Sequence, residues 1–161
     1  MRCWFVLTLT ALAAAVACKR DTTPVPVPSP VAPASITENY TGTLFVLGSN
    51  LHSFQVKILG EVDVTLTSVI TVPVDADPTA TPPVIAVPAT PLTVPLTLTV
   101  GQPTLTTIGV QCSDLKQVVT APGSKPQLTG QALAGSYCVS ISDPENSLPS
   151  AVTYTITVNH S

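Results

Sequence analysis

The stretch from Gln131 to His160 limits most sharply what this chain can fold into. Within it Tyr137, Val139 and Ile141 alternate with Cys138, Ser140 and Ser142. Further on, Val152, Tyr154, Ile156 and Val158 alternate with Thr153, Thr155 and Thr157. A strand sends successive side chains to opposite faces, so each segment offers one apolar and one polar face. Between them, Asp143-Pro144-Glu145-Asn146-Ser147 carries the residue types of a turn. The pattern predicts antiparallel β-structure with one face on a core and the other in water.

The same period recurs upstream. Tyr40 to Val46 reads as a first strand, closed by Gly48-Ser49-Asn50. Ser53 to Ile58 places Phe54, Val56 and Ile58 on one face, and Leu59-Gly60-Glu61 turns the chain back. Val62, Val64 and Leu66 then share a face in Val62 to Thr67. These two segments predict a hairpin. Val72 to Pro91 holds too many prolines for a central strand and predicts a long surface loop, with a short edge strand at Val84-Ile85-Ala86-Val87. Loops of this length are uncommon, and binding residues concentrate on loops held by a rigid scaffold. With Asp75 and Asp77 beside exposed Val84, Ile85 and Val87, this loop is where a partner contact is expected, the alternative being a tolerated insertion. Strand signals resume at Leu92 to Val100, at Leu105 to Cys112 after Gly101-Gln102-Pro103, and around Gln127-Leu128-Thr129. Seven or eight short strands without a helix predict an all-β antiparallel β-sandwich.

Residues 1–17 have an early Arg2 and then an apolar run ending in small residues. That is the form of a secretory signal, too short to span a bilayer comfortably. Its ending, Ala15-Val16-Ala17-Cys18, resembles a bacterial lipobox, with Ala where Leu is usual at the first position. The resemblance implies lipidation of Cys18, cleavage before it, and a membrane-anchored lipoprotein of the outer membrane or cell surface. Each buried methylene of an acyl chain contributes roughly 0.8 kcal/mol, so two or three chains make a stable anchor. Residues 18–35 are rich in Pro and lack periodicity, which predicts a semi-extended polyproline II tether. Residues 36–161 are then the folded domain, and 161 residues leave room for one.

Of four cysteines, Cys3 leaves with the signal and Cys18 takes lipid, leaving Cys112 and Cys138 as an even pair. In an exported domain such a pair is expected to be a disulfide. It would constrain the unfolded chain by roughly 3 kcal/mol on the loop-entropy model. An immunoglobulin domain does not fit, because its tyrosine corner puts Tyr two residues before Cys, whereas Tyr137 and Cys138 are adjacent. The single Trp, Trp4, lies in the signal and cannot pack on the bridge.

Leu133-Ala134-Gly135-Ser136-Tyr137 followed by the Tyr154-Thr155-Ile156-Thr157-Val158 strand resembles the bacterial pre-peptidase C-terminal domain. So does Leu51-His52-Ser53-Phe54-Gln55-Val56 followed by Gly60-Glu61-Val62-Asp63-Val64-Thr65-Leu66. The resemblance implies an extracellular, jelly-roll-like β-sandwich, a type often appended to secreted peptidases and at times binding calcium or matrix. The family's acidic strand, Asp-x-Asp-Leu-x-Leu, is replaced here by Leu96-Thr97-Leu98-Thr99.

Charged residues make up only 9% of the chain and the net charge is −3, so no basic stripe invites nucleic acid. No Gly-x-Ser-x-Gly elbow, His-Glu-x-x-His helix or phosphate-cradling loop occurs. A triad needs a His within reach of Ser, and the chain has only His52, at a strand start, and His160. Asp75 with Asp77, and Asp143 with Glu145, are weak candidates for calcium through oxygen, and no other cofactor is implied. Asn39-Tyr40-Thr41 and Asn159-His160-Ser161 fit a glycosylation sequon that a bacterial lipoprotein would leave bare. The expectation is therefore a non-enzymatic envelope protein that contacts the membrane through its anchor and an envelope protein or glycan through its sandwich. The alternative is a carbohydrate- or calcium-binding module associated with secreted hydrolases.

Overall fold

The computed structural model describes residues 34–107 and 109–161. Cys18 and the signal and most of the Pro-rich stretch lie outside the described residues. The described chain is all-β, with eight strands: β1 (Ile36–Leu44), β2 (Ser49–Val56), β3 (Gly60–Thr71), β4 (Leu96–Thr106), β5 (Gly109–Thr120), β6 (Leu128–Ala132), β7 (Gly135–Ser142) and β8 (Val152–His160). They form two antiparallel sheets of four, a first ordered β1-β8-β3-β6 and a second ordered β2-β7-β4-β5. This is the wiring of a jelly roll, in which consecutive strands alternate between sheets and only β4 and β5 follow each other within one.

The period-two residues supply the core. Val152, Tyr154, Ile156 and Val158 of β8 face Leu98, Val139 and Ile141 of the second sheet, all of them buried. Burying each such side chain stabilises the fold by about 1.5–3 kcal/mol. The outer face of the first sheet is polar: Thr37 Oγ1 donates to Asn159 Oδ1 at 2.6 Å, and Thr157 Oγ1 donates to Asn39 Oδ1 at 2.7 Å. Both asparagines of the sequons are therefore engaged across the β1–β8 pair.

Most strands lie where the alternation placed them, although Ser49 and Asn50 belong to β2 rather than to a turn and Ile58 lies exposed beyond its end; the pairings differ more. The segments at 53–58 and 62–67 do not form the expected hairpin, because β2 pairs with β7 while β3 pairs with β6 and β8. Residues 57–59 carry the chain from one sheet to the other. Likewise β7 and β8 lie in opposite sheets. A strand with one apolar face is satisfied equally by a neighbour beside it and by a sheet opposite it, so alternation leaves the choice open.

Two further expectations are corrected. Gly101-Gln102-Pro103 does not separate two strands: β4 runs through it to Thr106, and the segment 105–112 spans the end of β4 and the start of β5. Pro103 is tolerated because β7 pairs with β4 only from Thr97 to Gly101, so the proline nitrogen needs no partner. The segment 84–87 is no edge strand of a sheet. It forms one leg of a ribbon in which Val74 pairs with Val87 and Asp77 with Val84, in the register begun at Ile70 and Pro91. Prolines along both legs interrupt the ladder, leaving isolated bridges.

β3 is irregular between Leu66 and Ser68. There Gln127, just before β6, substitutes for a strand: its Oε1 accepts from Leu66 N at 2.7 Å, and its own N donates to Val64 O at 3.0 Å.

Candidate functional site

The second sheet carries a groove built by β4 and β5. Cys112 of β5 and Cys138 of β7 are joined in a disulfide with Cα atoms 5.8 Å apart. Yet β4 lies between those strands in the sheet order, and two strand spacings of a flat sheet would separate them by roughly 10 Å. The outer halves of β4 and β5 must therefore leave the sheet plane and fold back over its outer face. Two more observations agree. A Cβ added at Gly101 would lie 1.5 Å from the Ser113 carbonyl oxygen and 3.3 Å from Cys112 Sγ, so the returning strand passes directly over this glycine. Ser49 and Leu51 of β2 also share a groove with Val110, Gln111 and Cys112, although β2 and β5 are opposite edges of the sheet.

The fold-back begins at a register shift between Val100 and Gly101, where Leu115 is the extra residue of β5. Such bulges bend a strand and sharpen its twist. The resulting groove has a volume of about 400 Å³. Its floor is hydroxylic, from Ser49, Thr99, Ser140 and Ser142, and Gln111, Asp114 and Gln117 come from the β5 side. Cys138 is completely buried beneath the arm.

At the β1–β2 edge, both histidines sit among aromatic rings. His52 stacks on Tyr40 with ring centroids 4.8 Å apart, and its Nε2 shares a 2.7 Å hydrogen bond with the Tyr154 hydroxyl. Tyr40 donates to Glu38, whose other carboxylate oxygen lies 2.9 Å from His160 Nε2. His160 is buried and lies against Phe54, the rings 5.4 Å apart. Desolvation holds the His52 pKa below its ordinary value and pushes the Tyr154 hydroxyl up. Tyr40 is raised by burial and by its bond to Glu38. Glu38 is held low, first by the Tyr40 hydrogen bond and then by His160. These shifts favour a neutral His52 and protonated phenols, and the contacts close the sandwich edge.

The calcium candidates occupy turns. Asp143 is 1% exposed and its carboxylate accepts from Ser147 N at 2.7 Å, Leu47 N at 3.2 Å and Leu148 N at 3.3 Å. It ties the 45–48 turn to the 143–148 turn. Glu145 is exposed nearby. Asp77 Oδ1 accepts from Thr79 N at 2.9 Å and Thr79 Oγ1 at 2.7 Å, bonds that lower its pKa, the hydroxyl contributing most. Asp75 is exposed on the same ribbon. Among the described residues, no three His, Cys, Asp or Glu side chains are grouped to hold a metal ion.

The ribbon leaves apolar side chains in water, Ile85 most of all at 82% exposure. It was the segment singled out by sequence for partner contact. The groove was not, because its lining comes from four strands, β2, β4, β5 and β7, drawn from distant parts of the chain. A signal did exist: Cys138 alternates with core residues and so must face outward, which requires Cys112 to reach the outer face. No family model matches this chain, and no curated protein matches it either.

Proposed function

We propose that this chain is a lipid-anchored, non-enzymatic protein of the bacterial cell envelope whose sandwich is an interaction or structural module. The observation that carries the reading is the Cys112–Cys138 disulfide, because such bonds persist outside the reducing cytoplasm. It stands with the lipobox-like Ala15-Val16-Ala17-Cys18 and the Pro-rich residues that follow. Cys18 is then the lipidated N-terminus, on the outer membrane or cell surface, and the tether presents the domain to envelope proteins or glycans.

The non-enzymatic reading is supported by the two histidines, His52 held between Tyr40 and Tyr154 and His160 between Phe54 and Glu38, rather than beside an activated serine or cysteine. Nucleic acid is a poor partner for a chain with only six Lys and Arg. A carbohydrate-binding reading is favoured by the polar groove on the second sheet. Calcium has less support, since the Asp143 and Asp77 oxygens already accept backbone and hydroxyl bonds.

The test is mass spectrometry of protein extracted from membranes of the producing cell. Diacylglycerol on an N-terminal Cys18 is expected. A soluble, unmodified mature chain starting elsewhere overturns the anchor.

A further inference from the structure

We propose that the groove between the folded-back arm and the outer face of the second sheet binds a neutral oligosaccharide. The inference rests on the reading of the domain as an exported binding module and names the ligand class of that module.

The size fits, since small-molecule sites occupy about 300–1,000 Å³ and this groove is about 400 Å³. The lining chemistry then narrows the occupant. No Lys, Arg or His lines it, and Asp114 is its one ionisable side chain, so anionic ligands meet a carboxylate and no countercharge. A divalent cation wants several oxygen ligands of carboxylate type, and Asp114 stands alone here. What remains is an uncharged ligand rich in hydrogen-bonding groups.

Peptide is the other such ligand, and the backbone argues against it. Extended peptides are captured on unpaired strand edges. In the groove floor β7 is paired on both sides, with β2 through Ser49–Ser142 and Leu51–Ser140 and with β4 through Thr99–Ser140, so the middle of the floor offers no free edge. Recognition there comes from side chains. Hydroxyls from Ser49 and Ser140, amides from Gln111 and Gln117, and the Asp114 carboxylate supply both donors and acceptors, the set needed to pair with vicinal hydroxyls. Leu51 and Val110 give small apolar patches for the C–H face of a pyranose ring. No aromatic side chain is in the lining, so hydrogen bonds carry the contact and the affinity is modest.

The arm is the device that makes the groove. It is held over the sheet by the disulfide and by the missing side chain at Gly101. Reducing the disulfide frees the wall and should weaken binding along with it.

The experiment titrates the full chain, purified in mild detergent, with cellotetraose, chitotetraose and maltotetraose by saturation-transfer NMR and calorimetry. An oligogalacturonate and a blocked neutral tetrapeptide serve as comparison probes. At least one neutral tetrasaccharide should bind, and Asp114→Ala and Gln117→Ala should each weaken it by about tenfold, the worth of one or two hydrogen bonds. Lys125→Ala, outside the groove, should leave it unchanged. Thermal melts verify that the variants fold, and mild reduction of the wild-type chain is the second measurement should either variant fail. Binding of none of the three sugars overturns the proposal. So does sugar binding that survives both substitutions or, where a variant does not fold, survives reduction, and so does tighter binding of the galacturonate or the peptide. The anchor is judged separately by the mass of Cys18, so the two readings fail independently.

Discussion

Gly101 of β4 lies directly beneath the Ser113 carbonyl of β5, close enough that a Cβ on Gly101 would sit 1.5 Å from that oxygen. The contact exists because the outer half of the hairpin returns over its own sheet. Gly101→Ala should therefore push the arm off and lower stability by about 1–3 kcal/mol, the usual range for overpacking. Gly130→Ala meets nothing within 4 Å and serves as the control. It should shift stability by less than about 0.5 kcal/mol. Urea unfolding of both variants checks this, and equal losses would refute the arm's path over Gly101.

The disulfide fixes the same arm from the other side. Replacing Cys112 and Cys138 together by Ala should lower stability by about 2–5 kcal/mol. A non-reduced peptide map of the wild-type chain should yield the linked pair. Two free thiols in that map would contradict the structure.

His52 predicts the acid side of the stability profile. Its folded pKa lies below its ordinary value of 6.5, so on acidification the unfolded chain takes up the proton first. The His52 contribution is then constant above about pH 7 and falls as pH drops through the ordinary histidine range. Glu38 adds a later step of the same direction. Its pKa is depressed below 4.5, so its contribution is present above that value and lost as pH falls through the folded pKa. His52→Gln should remove the decline between about pH 7 and pH 5 while leaving the acidic step in place. Thermal unfolding at a series of pH values reads both, and an unaltered decline in the variant would sink the assignment to His52.

Asp143 is a joint between turns. Asp143→Ala removes the acceptor of three backbone N–H groups, those of Leu47, Ser147 and the buried Leu148. The cost should be at least about 2 kcal/mol, since hydrogen bonds to a charged group contribute about 1.5–3 kcal/mol. Amide exchange should quicken at 45–48 and 143–148 together. Fast exchange confined to 143–148 would show that Asp143 does not tie the two turns.

What the sequence alone determined is the strand character of the chain and the centre of its core. The alternation of Val152, Tyr154, Ile156 and Val158, and of Tyr137, Val139 and Ile141, marks the same residues that the structure buries. Period two is a local property of an extended chain, so it can be read residue by residue. The evenness of the cysteine pair was equally legible, because it depends on counting. Which strand lies beside which was decided only in three dimensions: β2 and β3 carry the pattern of a hairpin, yet they belong to opposite sheets. A polar face is content in water whatever lies next to it, so local pattern does not encode partners. The groove is further still from the sequence. It arises because Gly101 lacks a side chain, because a bulge turns β4 and β5 at that point, and because Cys112 finds Cys138 two strands away. Those three conditions meet only after the sheet exists, since before it forms nothing fixes Ser49, Ser140 and Gln111 near one another.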